Sequence, residues 1–148
     1  MTKLLILVFN FLLGLALIFF SSCAEKMTNA NITITELRNA DGQVIIQVFK
    51  CEAAYESHRP YKQFTFDKKN VANGSLHVKC MLANGNYGFT IIDDENSNGK
   101  IDKNFIGIPK EGFGFSNFFM EKMQKPTFGE IMITKKHLHK LVIRVKYI

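Results

Sequence analysis

Apolar and polar residues alternate along several short stretches of this chain. Residues 31–37 (NITITEL) place Ile32 and Ile34 on one face, and residues 43–49 (QVIIQVF) do the same with Val44, Ile46 and Val48. A period of two is the signature of a half-buried strand. The pattern returns over residues 75–82 (Leu76, Val78, Cys80, Leu82), 87–92 (Tyr87, Phe89, Ile91) and 138–147 (Leu141, Ile143, Val145, Tyr147). Residues 62–66 read as a short strand carrying Phe64 and Phe66, and residues 128–133 as another. Turn residues fall between them: Asn39-Ala40-Asp41-Gly42, Asn73-Gly74 and Asn84-Gly85-Asn86. The first of these turns predicts a hairpin joining the first two strands. Residues 55–61, with Pro60, read as loop, and residues 118–124 could supply a turn or two of helix at most. About seven short strands with turn signals between them predict an all-β fold, a single antiparallel β-sandwich of the immunoglobulin-like kind.

The N-terminus follows a different pattern. A short basic start leads into residues 4–20, where Asn10 is the one strongly polar residue, and then into Ser21-Ser22-Cys23-Ala24. Basic, apolar and small-residue regions in that order make a secretory signal. The apolar run is at the short limit for a membrane span, so an uncleaved anchor is the lesser reading. Two processing routes fit. Ser-Ser-Cys resembles a bacterial lipobox, with Phe20 where Leu is usual, and would make Cys23 a lipidated first residue. Alternatively, Ser22 and Ala24 direct ordinary cleavage. We expect lipidation at Cys23, where each buried acyl methylene contributes about 0.8 kcal/mol of membrane binding. The expected layout is signal peptide over residues 1–23, short tether over 24–30 and sandwich over 31–148. The expected location is periplasmic, or on the outer membrane or cell surface, with the membrane a partner through the anchor.

Charge and cysteines refine this picture. The chain carries a formal net charge of +6, and Lys3 is the leader's single charged residue, which leaves the remainder at +5. Lysines spread along an exported chain read as a solvated basic surface, or else as a patch for anionic glycans or lipid headgroups. Nucleic acid is not an expected partner. Beyond Cys23 lie Cys51 and Cys80, for which an oxidising compartment permits a disulfide. Two buried free thiols are the preferred reading.

The regular pattern stops over residues 93–126, too long a stretch for an idle connection in a small domain. Its first part holds Asp94, Asn96, Asn98, Gly99, Lys100 and Asp102 in the order D-x-N-x-N-G-x-x-D. Side-chain oxygens at alternate positions followed by glycine let a backbone wrap a hard cation. Asp94, Asn96, Asn98, the Lys100 carbonyl and Asp102 would be the calcium ligands, with Glu111 or Asp93 available to complete the set. Phe105 stands where an EF-hand has its bidentate glutamate, so the loop is not an EF-hand. The competing reading is a metal-free turn closed by side-chain bonds to its own backbone. Farther on, Phe113, Phe115, Phe118 and Phe119 either cap the core or form a contact surface for a sugar, a peptide or a partner protein. Catalytic signals are sparse. His137 and His139 would share a face on a strand but sit among Lys135, Lys136 and Lys140, His58 and His77 are isolated, and Ser116 lacks the Gly-x-Ser-x-Gly elbow.

Three stretches carry a family resemblance: Gly85-Asn86-Tyr87, residues 94–102 (DENSNGKID) and residues 107–117 (GIPKEGFGFSN), followed by Pro126-Thr127-Phe128. Together they resemble the signature of a bacterial family, domain of unknown function 2141, differing at Gly88 where the family usually has alanine. The resemblance implies a small exported β-sandwich, similar to transthyretin-like modules, and brings no activity, substrate or catalytic residue with it. The expected function is a non-catalytic binding or scaffolding module of the cell envelope, a monomer that meets an envelope protein or glycan. A calcium-stabilised structural domain is the alternative, and an enzyme the third reading.

Overall fold

Each alternating stretch must bury its apolar face, and the chain does so by stacking two sheets. In a computed structural model, residues 26–122 and 124–148 are described. The signal, Cys23 and both cleavage readings lie outside them. The strands are β1 (Met27–Thr35), β2 (Gln43–Phe49), β3 (Lys62–Asp67), β4 (Leu76–Ala83), β5 (Tyr87–Asp94), β6 (Gly112–Phe115), β7 (Met132–Ile133) and β8 (Leu141–Arg144). One sheet has the order β4-β1-β8. The other has the order β3-β2-β5-β6, with β7 pairing the start of β5. All pairs are antiparallel except β1 with β8. The chain is an all-β sandwich.

The core lies between the sheets. Ile32, Ile34, Val78, Cys80, Leu82 and Ile143 of one sheet meet Val44, Ile46, Val48, Phe89 and Ile91 of the other, all buried. A smaller cluster of Phe49, Tyr55, Phe128 and Ile131 packs outside the second sheet. The free thiols differ from expectation: Cys80 is buried but Cys51 is exposed. Burial pushes the Cys80 thiol up to about 12.

Local differences from the sequence reading have identifiable causes. β1 and β2 do not form a hairpin. They belong to opposite sheets, because their apolar faces are buried against each other across the sandwich. The connection arches over the end of the core, with Glu36 at φ +66° and Gly42 at φ +74°. A Cβ on Gly42 would lie 2.2 Å from the Asp94 carbonyl oxygen, so only glycine fits there. β1 starts at Met27, inside the expected tether, and its first residues pair with the end of β4, Met27 opposite Ala83. Residues 52–56 form a short helix, α1 (Glu52–Glu56), whose last two residues fall in the segment read as loop over residues 55–61. The strand expected over residues 128–133 is mostly a second short helix, α2 (Phe128–Ile131). It is started by a capping box in which Thr127 and Glu130 bond each other's backbone N–H groups. The strand expected from residue 138 begins at Leu141, because a 3-10 helix (Lys135–Lys140) precedes it. Residues 118–124 form no helix among the residues described.

Candidate functional site

The long segment after β5 is held at its root by a buried polar network. Asp93 and Lys68 are both fully buried and pair at 2.6 Å. Lys68 also donates to Asn39 Oδ1 at 2.9 Å. Tyr147 donates its hydroxyl to Asp93, and burial followed by this bond raises its pKa. Two residues on, Arg38 grips Glu95 through two bonds of 2.6 and 2.5 Å, and Asn39 donates to the same carboxylate. Arg38 holds the Glu95 carboxyl below its ordinary range. Glu111 then crosses the loop, accepting the N–H groups of Glu95 (3.0 Å) and Asp102 (2.9 Å).

On this base the acidic loop folds as two nested turns. Asp94 is buried and accepts Gln43 Nε2, Asn98 N and Gly99 N at 2.7–3.0 Å. Asn96 Oδ1 accepts Asn98 N, and Asn98 Oδ1 accepts Lys100 N. Gly99 supplies the turn at φ +84°. Asn98 and Asn96 hold the Asp102 carboxyl below its ordinary range, Asn96 Nδ2 donating to it at 2.7 Å. The oxygens of Asp94 and of the two asparagines are thus engaged by backbone N–H groups, and Asp102 is engaged by amide donors.

Beyond Asp102 the chain makes a tight projecting hairpin. Lys103 bridges Pro109, Lys110 N donates to Asp102 O, and Asn104 N donates to Ile108 O. Asn104 Oδ1 accepts both Ile106 N (3.1 Å) and Ile108 N (2.9 Å). The tip carries Phe105, 100% exposed, and Ile106, 65% exposed. In the sequence Phe105 stands out only as the residue at the position of an EF-hand's glutamate. The available signal was two large apolar residues in a Lys-Asn-Gly setting with no alternating neighbours to bury them.

At the base of this hairpin the outer face of the second sheet opens into a groove of about 330 Å³. Phe113 and Phe115 stand on this face opposite Ile92 and Thr90 of β5. They meet edge to face at 6.0 Å and share the groove wall with Phe49, Tyr55, Ile101 and Pro109. Lys103, His58 and Lys125 also line it. Phe113 is 8% exposed and Phe115 half-buried, so both contribute to packing and to the groove wall. The other two phenylalanines extend from this groove. Phe118 packs edge to face on Phe115 and lines a second hollow with Phe119, whose ring lies 3.8 Å beneath the Arg144 guanidinium.

The remaining polar candidates stay separate. His137 and His139 are exposed on the 3-10 helix, where residues two apart point in different directions, so they do not share a face. The Ser116 hydroxyl is buried, accepting from Phe89 N and donating to the Ile131 carbonyl. Among the described residues, no group of three or more His, Cys, Asp or Glu side chains is placed to hold a metal ion.

Comparison with curated proteins and with solved structures gives no match. The family model described as "Uncharacterized protein conserved in bacteria (DUF2141)" matches residues 32–140, from β1 through the whole loop edge to the 3-10 helix, and the chain belongs to that family.

Proposed function

We propose that this chain is an exported, non-catalytic binding module of the cell envelope that engages an envelope protein or glycan through the edge formed by residues 93–117. The observation that carries this reading is the hairpin tip, where Phe105 and Ile106 are held in solvent by an ordered turn. Burying a large apolar side chain yields about 1.5–3 kcal/mol. A turn already fixed by hydrogen bonds loses little further freedom on binding. The groove walled by Phe113 and Phe115 extends the same apolar surface and lies in the volume range of small-ligand sites. The test is capture of envelope material by the immobilised protein and by a Phe105→Ser, Ile106→Ser variant. A partner retained by the parent and lost by the variant is expected. Equal capture by both would remove the tip from the binding edge.

A second reading is a calcium-stabilised loop, supported by the convergence of Asn96 and Asn98 on Asp102 beside the buried Asp94. Calcium would have to displace the amide donors from Asp102 and turn oxygens toward itself. On this reading the melting temperature rises with added calcium and falls with a chelator. A melting temperature unmoved by either leaves the loop a self-closed turn.

A further inference from the structure

The two ends of the sandwich differ in the acids that surround their basic residues. At the loop edge Arg38, Lys68, Lys69 and Arg144 pair with acids, and Lys100 and Lys110, though in no ion pair among the described residues, lie close enough to Asp102 to help lower its pKa. The opposite end is where β1 begins, β4 ends and the 3-10 helix turns into β8. It carries Lys26, Lys62, Lys135 and Lys136, with Lys79 and Lys140 beside the middle of β1 on the adjoining part of the first sheet, and none of the six is in an ion pair among the described residues. Lys79 faces Asn31 across β4 and β1, and Asn31 in turn donates to the His139 carbonyl, so the lysines of β4 and of the 3-10 helix flank one strand. The acids nearest in sequence are few. Glu56 is taken by Lys125 and Glu130 by the α2 cap, which leaves Glu52 among the described residues and Glu25, which directly precedes Lys26 in the chain.

The same end exposes large apolar side chains among its lysines. Met27 is 45% exposed and Met81 57%, close together because Asn29 pairs with Met81 and Met27 with Ala83. Lys62 reaches the Met81 carbonyl at 3.3 Å. Tyr61 is exposed beside them with the Lys50 ammonium 3.7 Å above its ring. Lysines interleaved with methionine and tyrosine suit the interface of a charged bilayer, where stems and rings lie among headgroups and ammonium groups meet phosphates.

We propose that this end of the sandwich is a docking face for an anionic phospholipid surface, its lysines meeting headgroup phosphates and Met27 and Met81 entering the interface. The position of the face in the chain favours that occupant. Cys23, the residue expected to carry the lipid, lies three residues before Lys26. Three extended residues reach about 10 Å, close to the Debye length of about 8 Å at physiological salt. An anchor at Cys23 therefore keeps the lysines within range of the surface charge. The face itself needs no lipid to bind, and it lies at the opposite end from the proposed binding edge, so either reading can fail without the other.

The test uses the chain from Ala24 onward, which retains all eight strands and both apolar clusters. It is sedimented with vesicles of phosphatidylcholine alone and with vesicles that include one quarter phosphatidylglycerol. Binding to the anionic vesicles only, weakening as salt rises, is expected. Each lysine near an anionic surface adds roughly fivefold to partitioning, so a Lys79→Gln, Lys135→Gln, Lys136→Gln variant should bind about a hundredfold more weakly. The Phe105→Ser, Ile106→Ser variant should bind like the parent. Absence of binding, equal binding to neutral vesicles, an undiminished triple variant, or loss through the tip variant instead would each overturn the proposal.

Discussion

Lys68 and Asp93 form a fully buried ion pair at the root of the loop edge. Among the described residues the Asp93 oxygen that faces Lys68 has no hydrogen-bond partner besides that ion pair, while its other oxygen takes the Tyr147 hydroxyl. Removing one partner of such a pair leaves an uncompensated charge in the interior, whereas removing both can be nearly neutral. Lys68→Met should therefore destabilise the protein by about 3–5 kcal/mol, and Lys68→Met combined with Asp93→Leu should recover much of the loss. Denaturant melts of the two variants check this, and equal destabilisation by both would show that the pair's charges do not govern the cost. The surface pair of Arg38 with Glu95 is partly exposed and is expected to count for far less.

Among the elements, β1 shows how tertiary pairing extends a strand past its visible pattern. Residues 27–30 (MTNA) have no clear alternation, yet they pair with residues 80–83 of β4 and bury Ala30. β4 lies at the edge of its sheet with β1 as its one strand neighbour among the described residues, so these residues satisfy its last backbone groups. A chain starting at Asn31 should be less stable than one starting at Ala24 by roughly 2–4 kcal/mol, counting about 1 kcal/mol for each ladder bond lost. The exposed β4 edge should also make it aggregate more readily. Paired thermal melts and light scattering measure both effects, and indistinguishable melts would mean that residues 27–30 add nothing to the fold.

For the whole molecule, pH dependence follows from what the core buries. Burial raises the Cys80 thiol and the Tyr55 hydroxyl to about 12 each, from ordinary values of 9.0 and 10.0, and burial followed by Asp93 raises Tyr147. Each of these groups keeps its proton in the folded state after the unfolded chain has released it. Their contribution to stability is thus complete below the unfolded values and is lost as pH rises through the folded ones. Urea midpoints should fall as pH climbs past 9, and Cys80→Ala should flatten the first part of that fall. On the acid side, Glu95 is held below its ordinary 4.5 by Arg38. Its small contribution is present above the unfolded value and disappears as pH falls through the folded one.

The sequence by itself determined which residues alternate, and so the all-β class, the identity of most core positions and the family. Those follow from local periodicity and from motifs contiguous in the chain. It also marked the loop of residues 94–102 and its turn at Gly99, because Asx and glycine turns are short-range chemistry. Only the tertiary structure decided which strands pair. β1 and β2 look like a hairpin locally, but their apolar faces are better buried against each other than side by side. The Phe113–Phe115 groove likewise needed Tyr55, Ile101 and Pro109 brought from separate segments. The gathering of Lys26, Lys62, Lys135 and Lys136 toward the end away from the acidic loop was invisible in a net charge of +6, because charge is summed along a chain but acts through distances set by the fold.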